Sequence, residues 1–394
     1  LFTTDAASEN NANAVCELPS GEEENERSEV KKNSTLPGKS TRANEFKDQK
    51  MSFDLTRQNL FKTFLYFLLL IVIFWGVELF HPEHYRQIGA PYASGTSSPA
   101  TGTPLGVLID SFLIRVPALG VLFSSILVFI NSFFVTRIVI RNVIFLERTY
   151  MPSIIYLLIS SGYYNNYLTF RPLLAAFLLL LACEIIFRSY NYKPLSTGAY
   201  MTVGFIFGTA GAIYAPALLL VVLIPVGLTI FRLFDLREWV AAFGGWLIPL
   251  FLSAYGVWLA GGDFLSILPA CRDALLTPQP LPAIEYFSSF EWTFIGCVVI
   301  LFILSLITFF GRSRSYKLKP FKAYIFFIWM LLANLLSLAA MPSRSLYQLP
   351  IVAIPLAVII PTYFNSRKPN FLTNFLYVLM MGCAIVIHLL PFFL

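Results

Sequence analysis

The chain has 394 residues, of which 57% are hydrophobic and only 13% charged, against about 25% charged in an ordinary soluble domain. With a mean hydropathy of +0.70, polar surface is too scarce to cover one soluble core. This excludes a soluble globular enzyme, a nucleic-acid-binding protein and a disulfide scaffold, and makes lipid the solvent for most of the chain.

Residues 1–50 stand apart. They hold ten acidic and seven basic side chains, net −3, and no long apolar run. Such a segment buries too little apolar surface to offset its ordering entropy, so it is expected to be disordered. It lacks the apolar core of a signal peptide. The first methionine is Met51, and the expected organisation is a polar tail over 1–50, read either as an extension upstream of a start at Met51 or as a cytoplasmic tail, followed by a transmembrane domain over 51–394.

A helix needs about 20 apolar residues to cross the hydrocarbon layer. The expected spans are 61–80, 117–140, 149–164, 170–187, 199–214, 215–231, 239–260, 292–310, 321–340, 345–364 and 371–390. The third and fifth are short enough to be broken or tilted. With the N-terminus in the cytoplasm, inner loops carry 14 Lys and Arg and outer segments carry 5. That asymmetry obeys the positive-inside rule and, with eleven spans, puts the C-terminus outside. The fold class is therefore an all-α polytopic bundle.

Two outer regions are large enough to hold chemistry. The first, 81–116, opens on His81-Pro82-Glu83-His84 and ends in a mildly amphipathic stretch, 105–115, expected to lie in the outer interface. There Leu105, Leu108, Ile109, Phe112 and Leu113 would share one side, away from Asp110, Ser111 and Arg115. The second, 261–291, is proline-rich and reads as an irregular cap.

His81 and His84 are three residues apart around a proline, whereas helical zinc motifs place His at i and i+4. The segment reads as a hydrated loop, and no metal or cofactor is expected. Cys271 alone of the five cysteines falls in an outer loop, so no disulfide framework is expected. Gly204, Gly208 and Ala212 repeat small residues every fourth position, the pattern of close helix packing in lipid. The Tyr163–Tyr167 turn, with Tyr163, Tyr164 and Tyr167, reads as an interfacial anchor, and Arg171 beyond it faces outward, where it could hold a phosphate. The turn from Phe231 to Trp239 reads as an inner anchor with local ion pairs. The middles of the spans carry almost no charge. This disfavours a coupled transporter, which usually needs carboxylates near the midplane.

Arg171-Pro172 through Phe187-Arg188, then Gly204 through Ala210, Tyr214-Ala215-Pro216-Ala217 and Phe231-Arg232 to Arg237-Glu238-Trp239, resemble an uncharacterised bacterial family of polytopic inner-membrane proteins. Its members are sometimes mislabelled as carotene oxygenases; three histidines cannot supply a four-histidine iron site. The order of a first span, an outer loop with an interfacial helix, short paired spans and a Gly-rich helix also resembles the GT-C type of integral-membrane glycosyltransferase. That resemblance implies a polyprenyl-phosphate-linked sugar donor, Glu83 or Glu78 as the acid or base, and Arg171 and Arg115 as phosphate-binding cations. The paired acids usual in those enzymes are absent. The expected role is accordingly non-catalytic, in a bacterial inner membrane, as a subunit of an envelope-building complex; the alternatives are a GT-C transferase and a lipid or small-molecule transporter. Expected partners are the bilayer, a polyprenyl-phosphate lipid and other membrane proteins, with no nucleic acid.

Overall fold

The computed structural model describes residues 60–80, 103–145, 149–162, 170–191, 197–231, 236–276, 289–311, 318–340, 348–366 and 371–393. Leu1–Ser52 and Phe53–Leu394 are separate units; the first lies outside the described residues, and with it the tail expected over 1–50. The described part is helical: α1 Leu60–Phe80, α2 Pro104–Arg115, α3 Pro117–Arg141, α4 Met151–Ser161, α5 Phe170–Asn191, α6 Thr197–Ile213, a 3₁₀ segment Ala215–Val222, α7 Leu223–Ile230, α8 Leu236–Leu259, a 3₁₀ turn Phe264–Ser266, α9 Ile267–Leu276, α10 Ser289–Gly311, α11 Leu318–Ala340, α12 Leu349–Ile359, α13 Pro361–Ser366 and α14 Phe371–Phe393.

Five stretches among the described residues are long and apolar enough to cross a membrane: Ala118–Arg141, Phe170–Arg188, Leu236–Leu259, Ser289–Gly311 and Pro320–Ala340. The polarity is that of a membrane protein. Ser124, Asn131, Ser132, Thr136, Ser153 and Asn334 are buried, while Leu247, Phe251, Leu252, Ile307 and Leu336 are exposed. Exposed Thr202, Thr209, Thr229 and Thr293 each donate their hydroxyl to the carbonyl four residues back. In hydrocarbon no water can satisfy a hydroxyl, so it must find its acceptor within the helix.

Side-chain contacts fix the direction of the elements. Phe123 meets Phe170, Phe134 meets Phe177 and Arg141 meets Glu184, so α3 and α5 run parallel. The return between them is α4, which starts at a short Thr136–Ser153 hydroxyl contact and ends where Trp75 Nε1 donates to Ser161 Oγ at 3.1 Å. Gly204 faces Ala242 and Gly208 faces Trp246, so α6 and α8 are also parallel. Tyr66 meets Met381 and Phe74 meets His388, which makes α1 and α14 a third parallel pair.

The return between α6 and α8 is Ala215–Val222 followed by α7. A 3₁₀ turn rises about 2.0 Å per residue and an α-helix about 1.5 Å. Eight residues of each cover about 28 Å, close to the ~30 Å hydrocarbon thickness. The extended winding lets sixteen residues do what an α-helix of that length would leave short. Pro216 stands at the start of the 3₁₀ run, where its missing N–H costs nothing.

α4 and α12 lie at the centre of the bundle. Every residue of α12, and every residue of α4 except Met151, is buried. At 11 residues each they cover about 16 Å, half the bilayer. The helix break between α12 and α13 falls at Ile360, just before Pro361, which cannot donate to the helical ladder; Ser305 Oγ donates to the Ile360 carbonyl at 2.7 Å.

Candidate functional site

Two groups of ion pairs stand one at each end of the α3–α5 pair, apart from Arg272 and Asp273, neighbours in sequence on α9. The first is built on α2. Thr103 precedes it, and Thr103 Oγ1 donates to the Ile213 carbonyl at 3.1 Å, so the start of α2 caps the end of α6. One turn on, Gly106 brings the α2 backbone against the same carbonyl. A Cβ there would stand 2.5 Å from the Ile213 oxygen and 2.9 Å from Arg171 Nη1. One further turn on, Asp110 Oδ2 pairs with Arg171 Nη2 at 2.8 Å.

Arg171 is the second residue of α5. A cation at a helix N-terminus opposes the helix dipole, so it needs a local anion, and Asp110 supplies it. Both side chains are mostly shielded, at 17% and 28% exposure. Burial pushes the Asp110 carboxyl above the usual carboxylate range, and Arg171 pulls it part of the way back.

The face of α2 turned to the protein is therefore Thr103, Gly106, Asp110 and Leu113, whereas Leu108 and Phe112 are exposed. The expected sides of this helix hold for Leu108 and Phe112 against Asp110, but Leu113 belongs with the inward face, and Ser111 and Arg115 are exposed on the side of Leu108 and Phe112 instead of lying with Asp110. Next to lipid, the apolar side turns outward and the side with the carboxylate turns in.

Of the residues singled out from sequence, Arg171 lies in this junction. Arg115 ends the same helix, exposed, about 140° around from Asp110. Glu78 is on the last turn of α1, Glu83 lies outside the described residues, and so do residues 163–169 and 232–235 of the two turns. Gly204 and Gly208 sit with their α-carbons against the α8 backbone, reciprocated by Gly245 against Met201, and Ala212 is buried one turn further on. Asp110 is the residue that sequence reasoning passed over. Its signal was available: an isolated acid and an isolated base in apolar surroundings on one side of the bilayer tend to pair. Among the described residues no three His, Cys, Asp or Glu side chains converge on a point.

The second cluster is at the other end. Glu184 on α5 accepts from Arg137 at 3.4 Å and from Arg141 in a shorter contact. The Arg137 guanidinium lies 5.6 Å from the centre of the Phe134 ring. Arg188, one turn beyond Glu184, is exposed.

Comparison with protein families, with curated proteins and with solved structures gives no match.

Proposed function

We propose that this chain is a multi-pass protein of a bacterial inner membrane with a non-catalytic role, as a subunit of an envelope-building complex. The observation that carries this reading is the Asp110–Arg171 pair. The outward cation best placed to bind a donor phosphate is already neutralised by the protein's own carboxylate, and the pair joins α2 to α5. Such a contact serves architecture. α8 supports the subunit role: it is the least buried of the five long helices and carries Phe243, Phe251, Tyr255 and Trp258 on exposed positions, a face suited to another membrane protein.

The proposed path has eleven crossings, N-terminus inside and C-terminus outside. Two parallel helix pairs with a return between their members, α3/α5 and α6/α8, and the parallel run of the first and last helices, α1 and α14, support it. So does the charge balance: Arg137, Arg141 and Arg188 exceed Glu184 at one end, while Arg171 and Asp110 cancel at the other, as the positive-inside rule requires of inner and outer faces.

One observation favours the GT-C reading. A helix of interfacial character, α2, is pinned over the bundle with a carboxyl beside an arginine, which is where a lipid-linked donor would present its phosphates. On that reading Glu83 and Glu78 carry the chemistry, with Arg171 and Arg115 on the donor. The test is complementation of any envelope phenotype caused by deleting the protein. The non-catalytic reading expects full rescue by Glu78→Ala/Glu83→Ala. Loss of a general acid or base costs about 10²–10⁴-fold in rate, so a well-expressed but inactive double variant would overturn it.

A further inference from the structure

We infer that the arginine cluster at the end of α3 and α5 is a seat for the phosphate of an anionic phospholipid. Two guanidiniums, from Arg137 and Arg141, pair with one carboxylate, Glu184, and a third, from Arg188, stands exposed one turn further along α5. The formal excess is two positive charges. The C-terminus of α3 offsets about half a charge, so the cluster stays positive. Glu184 Oε1 engages one nitrogen of Arg137 and one of Arg141. A guanidinium carries five N–H donors, and the remaining ones are open to a phosphate, which arginine recognises in fork geometry.

The backbone that displays these groups is held in place. α3 ends with Val143 N–H donating to the Ile140 carbonyl and Ile144 N–H to the Val139 carbonyl, the two bonds of a Schellman cap. The cap residue is Val143 at φ 51°, a left-handed conformation that a β-branched residue adopts only at a cost. Ile144 and Val139, the two positions that carry the apolar contact of this motif, are both buried.

The apolar part of the ligand is specified as well. Phe123, Ile126 and Ile130 are exposed on α3, and Phe134 is half-buried. At helical spacing these four positions line up with Arg137. Arg137 stands about 6 Å further into the bilayer than Arg141, with 61% of its side chain exposed and its guanidinium 5.6 Å from the centre of the Phe134 ring. A phosphate at the arginines would thus lay an acyl chain down that stripe. This combination, a cation fork above a lipid-facing apolar track, fits a membrane lipid better than a free anion. The inference depends on α3 facing lipid and is independent of the proposed non-catalytic role.

The test uses the full-length protein in detergent, supplied with dioleoyl phosphatidylglycerol, with dioleoyl phosphatidylcholine or with inorganic phosphate. Native mass spectrometry counts retained lipid, and thermal unfolding reads stabilisation. The wild type should retain phosphatidylglycerol in clear preference to phosphatidylcholine. Each basic side chain near the surface contributes about fivefold to binding an anionic lipid, so Arg137→Gln/Arg188→Gln should weaken the preference about 25-fold. Arg272→Gln, at the other end of the molecule, should leave it unchanged. Equal retention of the two lipids by the wild type would overturn the proposal, even if the double variant failed to fold. So would an unchanged preference in a folded double variant. Stabilisation by inorganic phosphate equal to that by phosphatidylglycerol would assign the seat to a free anion and overturn the lipid claim.

Discussion

Neighbouring glycines on α8 make opposite demands. A Cβ on Gly245 would enter the Met201 carbonyl, whereas one on Gly244 meets nothing within 4 Å. Gly245→Ala and Gly208→Leu should therefore destabilise, by about 1–3 kcal/mol or more for forced overpacking. Gly244→Ala should be neutral or stabilising by up to about 1 kcal/mol, since alanine is the better helix former. Thermal unfolding in one detergent checks all three. Val143 gives a prediction of the other sign. Glycine occupies the left-handed region freely, and the conformation costs a side-chain-bearing residue about 1–2 kcal/mol. Val143→Gly should raise stability by about 1 kcal/mol, and a loss would show that the valine side chain contributes more than its strained backbone costs. Arg171→Gln leaves the Asp110 carboxylate shielded and unpaired, a loss of about 1–3 kcal/mol. Because burial already raises the Asp110 carboxyl and Arg171 is what lowers it, the variant raises it further. Its penalty is full at neutral pH and fades as pH falls through the raised titration, where Asp110 takes up a proton. Parallel pH profiles for wild type and variant would contradict this assignment.

At the scale of elements, the parallel run of α3 and α5 is open to direct measurement. Phe123 and Phe170 have ring centres 6.4 Å apart, and Phe134 and Phe177 6.0 Å. Cysteines replacing either pair should be joined by a short bifunctional thiol reagent in native membranes. The crossed combination, Phe123→Cys with Phe177→Cys, should not be joined, and efficient joining there would reverse the helix direction. Element type was legible where the apolar run was long: 117–140, 170–187, 239–260, 292–310 and 321–340 each correspond to one continuous helix. It was less legible where tertiary packing decides. The run 149–164 contains only the 11-residue α4, the run 215–231 starts as 3₁₀, and 345–364 breaks at Pro361. Hydropathy reports that such segments are buried but not how they are wound, because central helices wrapped by other helices need not match the bilayer thickness. The glycine ladder was readable because a missing Cβ has one main use on a helix in lipid, close approach. The Asp110–Arg171 pair was readable only in part: an acid and a base on one side of the bilayer tend to pair, but which face of α2 turns inward is set by packing.

At the scale of the whole molecule, the proposed alternating path leaves the Asp110 end outside and the arginine cluster inside. Composition alone required lipid, and the buried hydroxyls and exposed leucines follow from that solvent. The side on which each end lies comes from charge counts and is tested most directly by accessible thiols. Cys271 is on α9, half-buried, while Cys183, Cys297 and Cys383 are buried. Burial pushes the Cys271 thiol above its ordinary range, so labelling should speed up as the medium is made more alkaline. Intact spheroplasts should be treated at about pH 8.5, near the ordinary thiol value, with a membrane-impermeant maleimide. Cys271 should be labelled, and Cys16 spared until the membrane is permeabilised. Labelling of Cys16 with protection of Cys271 in intact spheroplasts would contradict the proposed path.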